Sequence, residues 1–187
     1  MNVMFDLIGS VIVLGIVVLI VLTMNINLTS MSYQTNNTMQ IQFQAIQLSR
    51  IMEFDMYKIG YRVVNKKILK ADSSNFSFRA NLFDTSSDTD VVEYKLVTPQ
   101  EPATSGPTYK MLIRKVNSDT LAINNNVSRF YFSYYTSKDS LLTPPISGSW
   151  LDSIKSVKVY LALESFDSLD STFIGALYSK WIYPRNL

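Results

Sequence analysis

The chain contains no cysteine and no histidine among its 187 residues. The absence of cysteine excludes disulfide bonds, thiol nucleophiles and thiolate metal sites. The absence of histidine removes the commonest general base, the usual zinc ligand and every histidine-dependent catalytic triad. We therefore expect a protein that is not an enzyme. The net charge of +2 is also too small to favour nucleic acid as a partner.

Charged side chains are missing from a long N-terminal stretch, since no Asp, Glu, Lys or Arg occurs between Asp6 and Arg50. Residues 5–24 form an apolar run, FDLIGSVIVLGIVVLIVLTM, whose one charge is Asp6 near its start. Its length is close to the ~20 apolar residues that cross the hydrocarbon core of a bilayer. A secretory signal would carry a basic segment before the run and an Ala-x-Ala motif after it, and the sequence has neither. Hydropathy alone predicts a transmembrane anchor.

Few cations flank this anchor to set its orientation, because the first basic residue is Arg50. The short N-terminal segment is easiest to leave in the cytoplasm. We therefore expect a single-pass protein of the inner membrane whose C-terminal domain is periplasmic or extracellular.

A helical pattern continues beyond the apolar run. Apolar residues recur at steps of three and four, as on one face of an α-helix, at Ile41, Ala45, Leu48, Met52, Met56 and Ile59. Gly60 follows as a helix C-terminal glycine. Asn and Thr are mediocre helix formers, which predicts a break near residues 33–38. We divide the chain into a transmembrane part (residues 1–24), a polar and then amphipathic outer helix (residues 25–60) and a β-rich globular domain (residues 61–187).

Period-two alternation replaces the helical pattern after Tyr61. Strands are predicted at residues 75–80, 91–97, 109–116, 127–135, 156–163 and about 176–183. Long loops are predicted at residues 98–108 and 137–150, which are rich in Pro, Gly and Ser. One polar face indicates an antiparallel sheet that packs on something apolar, for which the helical stripe is the candidate. The predicted fold class is α+β, with a long N-terminal helix packed on a small antiparallel sheet.

This layout resembles that of type IV pilin-like proteins, in particular minor pilins of the W class and J-type pseudopilins of type II secretion. The resemblance lies in the Phe-x-Leu-Ile start at Phe5 and in LSRIMEFDMYKIGYRV at residues 48–63. It continues in the strand–acidic turn–strand of residues 76–96, the aromatic strand unit of residues 121–142, the strand at residues 153–163 and the terminal PRNL.

The resemblance implies a pilin-like fold and a structural subunit that acts in the initiation or tip assembly of a type IV pilus-like or type II secretion filament. Its partners would be the membrane and other pilin-like subunits, bound helix against helix. The implied assembly residues are Phe5, Asp6, Leu7, Ile8, Gly9, Val13, Ile16, Val17 and Ile20, and the helix–sheet packing residues are those of the apolar stripe.

The N-terminus departs from the family pattern. The family carries a glutamate four residues after its first mature phenylalanine, and Gly9 occupies that position here. Asp6 is the nearest carboxylate, three residues away. Met4 precedes Phe5, where the family has a small residue at the cleavage point. These departures concern processing and registration of the subunit rather than its fold.

Two other features carry candidate chemistry. The carboxylates of Asp84, Asp88, Asp90 and Glu93 are of the type that binds calcium, although their spacing is not that of an EF-hand, and a solvated Ser- and Asp-rich turn is the alternative. No other cofactor is expected. The aromatic strand at residues 130–135 offers rings that stack bases or sugars, but alternating aromatics more often form core and cross-strand pairs.

Two further functions compete with filament assembly. The first is a single-pass anchored binding module that recognises a ligand without polymerising. The second is a membrane-anchored hydrolase, which would need a catalytic set that the sequence does not reveal.

Overall fold

The computed structural model describes residues 2–84, 89–98, 110–167 and 172–187. One long helix, α1 (Asn2–Tyr57), precedes a sheet domain. Its strands are β1 (Ile68–Ala71), β2 (Asn75–Ala80), β3 (Asp90–Val97), β4 (Lys110–Val116), β5 (Asp119–Tyr135), β6 (Leu141–Leu142), β7 (Ser156–Asp167) and β8 (Thr172–Ile182), with a 3-10 helix at Gly148–Ser153. The helix packs mainly on β7 and β8. The predicted α+β fold class is confirmed.

Helix α1 runs without interruption for 56 residues, about 84 Å at 1.5 Å per residue. The break predicted near residues 33–38 is therefore wrong. The hydroxyls of Thr29, Thr35 and Thr38 donate to the carbonyl oxygens four residues earlier at 2.9, 2.8 and 2.8 Å. These side chains thus hydrogen-bond within the helix instead of competing with it.

The helix ends in a turn at Gly60, three residues after Tyr57. Gly60 has a φ of +74°, the left-handed conformation that ends many helices. Its N–H donates to the carbonyl oxygen of Arg79 on β2 at 2.9 Å. A Cβ at this position would lie 2.9 Å from the carbonyl oxygen of Asn186. The glycine therefore lets the end of α1 approach both β2 and the C-terminal segment.

The described strands form one antiparallel sheet in the order β1-β2-β3-β4-β5-β7-β8, with β6 paired to β5. Strand β5 changes partners along its length. Residues 119–127 pair with β4 and residues 127–135 pair with β7, so that Val127 is paired on both sides. Register shifts on both sides of Val127 accompany the change. Such irregularities bend a strand and increase its twist, so the sheet curves around its own core.

The core is aromatic where β2 meets β5. The ring centroid of Phe76 lies 5.2 Å from those of Phe78 and Phe132 and 5.4 Å from that of Tyr134. These separations are typical of favourable ring pairs. All four rings are buried and belong to the cluster that also contains the apolar stripe of α1. The cluster therefore joins the helix to both ends of the sheet.

The strands differ from the sequence prediction in number and in length, and β7 and β8 are each longer than predicted. Strands β1 and β6 were not predicted, because four and two residues are too few to show alternation. Strand β5 begins eight residues earlier than predicted, in a segment rich in Asn. The predicted loop at residues 98–108 lies outside the described residues except for Thr98, and the one at residues 137–150 contains β6 and the first turn of the 3-10 helix.

Candidate assembly surface of the long helix

The N-terminal part of α1 stands free of the sheet domain. Every side chain from Val3 to Thr29 is exposed, and the helix is long and apolar enough to cross a membrane. The hydroxyls of Ser10 and Thr23 donate to the carbonyls of Leu7 and Leu19, both at 2.8 Å. They are thus satisfied without water, as a hydrocarbon environment requires.

All nine residues of the predicted assembly set lie in this free segment and are exposed: Phe5, Asp6, Leu7, Ile8, Gly9, Val13, Ile16, Val17 and Ile20. A Cβ at Gly9 or Gly15 would have no heavy atom within 4 Å. Nothing in the described part of the chain therefore prevents a second helix from approaching closely at either glycine.

The outer part of α1 faces the sheet with the stripe that the sequence indicated, here called the inner stripe. Its six residues, Ile41, Ala45, Leu48, Met52, Met56 and Ile59, are at most 8% exposed. They lie in the common core with β2, β3, β5, β7 and β8. Burial of one such side chain contributes about 1.5–3 kcal/mol, so the inner stripe attaches the domain firmly to the helix.

A second apolar stripe lies on the opposite side of the outer helix. This outward stripe consists of Met39, Phe43, Ile46, Arg50, Phe54 and Tyr57. Its apolar members are 45–62% exposed. The steps between its members equal those of the inner stripe, displaced by two residues, or about 200° around a helix of 3.6 residues per turn. The outer helix is therefore apolar on two faces, of which the domain covers only one.

The outward stripe is continuous with the apolar run. Moving toward the N-terminus, the same line of the helix continues at steps of three and four through Thr35, Met31, Leu28 and Met24. The three apolar members of this continuation are 59–68% exposed. A line that is apolar except at Thr35 and Arg50 thus extends from the membrane-length segment to the end of α1.

A buried ion pair fixes how α1 lies on the sheet. The carboxylate of Asp55 is fully buried, and Arg114 on β4 donates to it twice, from Nε to Oδ2 at 2.6 Å and from Nη2 to Oδ1 at 2.9 Å. The hydroxyl of Tyr94 on β3 donates to Oδ2 at 2.5 Å. Paired, hydrogen-bonded charges are the form in which ions are tolerated in a core.

The electrostatics of this cluster maintain its protonation states. Burial, and then the neighbouring Asp55 carboxylate, raise the pKa of Tyr94 well above its ordinary value. Hydrogen bonding to Asp55 raises the pKa of Arg114 despite its partial burial. Tyr94 therefore remains a neutral donor and Arg114 a cation. Because the guanidinium contacts are directional, they set the rotation of α1 and so the direction of the outward stripe.

A second carboxylate of α1 reaches the edge strand. Glu53 accepts hydrogen bonds from the hydroxyl of Tyr178 at 2.8 Å and from the ammonium of Lys180 at 2.6 Å. Burial raises the pKa of Glu53, but the hydrogen bonds from Lys180 and Tyr178 outweigh it, so the pKa is lowered overall. This pair is partly solvated and ties α1 to β8.

This arrangement, a long N-terminal apolar helix packed on an antiparallel sheet, is a pilin-like architecture. Neither a scan against protein-family models nor a search of curated proteins returned a match for the chain. The functional argument therefore depends on the surfaces of the molecule itself.

The acidic cluster considered as a calcium site is spread over separate interactions. Asp84 forms an ion pair with Arg62 at 2.6 Å, and Asp90 accepts hydrogen bonds from the side chain of Asn117 and the N–H of Leu82. Glu93 lies on β3, in register with Lys115 and Ser77. Asp88 lies outside the described residues. Within the described ranges no three His, Cys, Asp or Glu side chains are grouped to hold a metal ion.

The residues that sequence reasoning missed are Asp55, Tyr94 and Arg114. A signal was present, because Asp55 follows Met52 by three residues and so lies on the inner stripe. A lone carboxylate on an apolar face must find a buried cation. Its partners lie 39 and 59 residues away, and the sequence alone did not identify them.

Proposed function

We propose that this protein is a structural, non-enzymatic subunit of a type IV pilus-like or type II secretion filament. In this proposal it is a minor pilin or pseudopilin that acts in filament initiation or tip assembly. Residues 5–24 hold it in the inner membrane, the sheet domain lies in the periplasm or outside the cell, and α1 packs against the helices of other pilin-like subunits. The pilin-like architecture supports this proposal but does not by itself require assembly.

The outward stripe is the observation that carries the proposal. A helix that served only as an anchor and as one layer of a domain would need an apolar membrane segment and the inner stripe. It would not need Phe43, Ile46 and Phe54 exposed to water on the opposite face. Large contiguous apolar surfaces on soluble domains mark interaction sites. Because the stripe is linear and continues into the apolar run, it fits another long helix better than a globular ligand.

The N-terminal segment supports the same proposal. Its apolar side chains are exposed all around the helix, which suits lipid before assembly and neighbouring helices after it. In both environments the backbone is satisfied within the helix. The open space at Gly9 and Gly15 permits close helix approach.

The test places one charge on the outward stripe beyond the apolar run. Phe43→Asp introduces a carboxylate at a site that is 59% exposed, so the fold and membrane insertion are expected to be unaffected. Gln42→Asp is the matched control, since Gln42 is also exposed and belongs to neither stripe. We expect Phe43→Asp to be lost from the sheared filament fraction of the native host, and Gln42→Asp to be incorporated like the wild type. Membrane fractions measured in parallel report the amount of unassembled subunit.

The competing hypothesis, an anchored binding module that does not polymerise, predicts that both variants behave alike. It also predicts that an unrelated transmembrane helix can replace residues 5–24 without loss of function. Equal filament incorporation of the two aspartate variants, or absence of the wild-type protein from any helix-packed assembly seen by electron microscopy, would contradict assembly through the outward stripe.

A further inference from the structure

The outward face of the sheet carries an aromatic surface that the core does not use. On β5, β7 and β8 alternate residues point away from α1, because their neighbours enter the core or contact Glu53. Among the outward positions whose side chains the structure describes, five hold aromatic rings, the last of them one residue past β8. They are Tyr131, Tyr135, Tyr160, Trp181 and Tyr183, and we call them the aromatic face.

The rings form two groups, and a cation lies over one of them. Tyr131 and Tyr160 stack with centroids 4.6 Å apart and planes 12° from parallel. Trp181 contacts Tyr135 at 4.1 Å and lies parallel to Tyr183 at 6.3 Å. The Lys158 ammonium lies 5.5 Å from the Trp181 centroid. The aromatic face thus combines ring surfaces with a positive charge close to Trp181.

Cross-strand pairing explains part of this pattern but not all of it. Aromatic pairs such as Tyr131 and Tyr160 stabilise neighbouring strands. Tyr183, however, lies one residue past the end of β8 and is 57% exposed, and Leu177 on the same face is 64% exposed. Cross-strand pairing therefore leaves apolar side-chain area on the aromatic face uncovered.

The charges on this face indicate the kind of ligand. Among the outward positions whose side chains are described, Arg129 and Lys158 are the cations, and the carboxylate is Glu164 at the far end of β7. Aromatic rings stack on the apolar C–H faces of pyranose sugars, while Arg and Lys pair with carboxylates through charge-assisted hydrogen bonds. A nucleic acid, whose affinity rises with the number of phosphates neutralised, is the other polyanion that the experiment compares.

We propose that the aromatic face binds an acidic polysaccharide, with sugar rings stacked on Trp181 and Tyr183 and uronate carboxylates paired with Lys158 and Arg129. The binding itself is independent of assembly. Its place on the outside of a filament rests on the proposed function, since the aromatic face and the outward stripe lie on opposite sides of the molecule.

The test uses the full chain in detergent micelles. The sequence has two tryptophans, so Trp150→Phe leaves Trp181 as the one tryptophan, whose emission is excited selectively over that of tyrosine. Polygalacturonate is the probe, with dextran and oligodeoxythymidine for comparison. We expect a saturable change in Trp181 fluorescence with polygalacturonate. Lys158→Gln and Tyr183→Ala should each weaken binding by at least about tenfold, the effect of losing ~1.4 kcal/mol.

Two control variants match these changes on other surfaces. Lys95→Gln removes an exposed cation from β3, and Phe54→Ala removes an exposed ring from the outward stripe. Both should bind polygalacturonate like the parent. Circular dichroism verifies the fold of each variant.

Three results would overturn the proposal: no saturable change with polygalacturonate, equal binding of dextran, or tighter binding of oligodeoxythymidine. An equal loss of polygalacturonate affinity in Lys95→Gln and Lys158→Gln would also overturn it, because a nonspecific charge effect would then explain the binding. Failure here leaves assembly through the outward stripe intact, and failure of the filament experiment leaves polysaccharide binding intact.

Discussion

Replacing Asp55 by Asn should destabilise the domain more than any other single change to the charges of the helix. The substitution keeps the side-chain volume but removes the charge that Arg114 and Tyr94 surround. Removal of one partner of a buried ion pair costs about 3–5 kcal/mol, because the other charge remains buried and uncompensated. The Arg114 side chain is 18% exposed and can regain some hydration, which favours the lower end, about 3 kcal/mol. That is a large fraction of a typical stability of about 5–15 kcal/mol.

The assay is urea unfolding of the full chain in detergent micelles, followed by near-ultraviolet circular dichroism of the aromatic core. Glu53→Gln is the matched control, since it removes a carboxylate two residues away whose partner Lys180 is 39% exposed. Such solvated pairs contribute less than about 1 kcal/mol. If Asp55→Asn lowers the free energy of unfolding no more than Glu53→Gln does, the Asp55–Arg114 ion pair does not behave as a buried one.

Two further predictions concern pH and the end of the helix. The pKa of Glu53 is lowered in the folded state. Its contribution to the free energy of unfolding is therefore present above the ordinary glutamate pKa of about 4.3 and is lost as pH falls through the lower folded pKa. When unfolding is measured across the acid range, Glu53→Gln should remove this small part of the pH dependence, and an unchanged profile would contradict the prediction. Gly60→Ala should lower the free energy of unfolding by about 1–3 kcal/mol because of the left-handed backbone. The loss should be larger still because the added Cβ would meet Asn186. Gly148→Ala is the control, because Gly148 has a similar φ of +65° but open space around its Cβ position. Gly60→Ala should lower the thermal unfolding midpoint more than Gly148→Ala does. Equal midpoints would refute the close approach at Gly60.

The Asp55 cluster also bears on the proposed assembly. An apolar stripe can slide or rotate on an apolar core with little change in buried area, whereas a two-point guanidinium contact has one geometry. The cluster therefore fixes which side of α1 meets the sheet. By doing so it leaves Met39, Phe43 and Phe54 on the opposite side, where a partner helix can reach them.

Local patterns in the sequence were sufficient for several parts of the fold. Alternation located β2 at its observed bounds, and steps of three and four located the inner stripe. The length of the apolar run indicated a membrane segment. In each case the pattern is repeated within a few residues, and the physical cause, one apolar face or an apolar span, acts locally.

Other features either departed from local propensity or depended on residues far apart in the chain. Helix propensity predicted a break near residues 33–38, but threonine hydroxyls bonded to the helix backbone and the helix continued. Strand β1 is too short to recognise and exists because β2 is beside it. The first half of β5 pairs with β4 although its Asn-rich sequence has low strand propensity, since tertiary context overrides that preference.

The sequence by itself therefore determined the elements with repeating patterns: the membrane-length helix, the inner stripe and the alternating strands. Only the tertiary structure decided that Asp55 meets Arg114 and Tyr94, that the outward stripe is left uncovered, and that five aromatic rings share the outer face of the sheet. Periodicity assigns a residue to one face of its own element, but whether that face is covered depends on how distant elements pack against it.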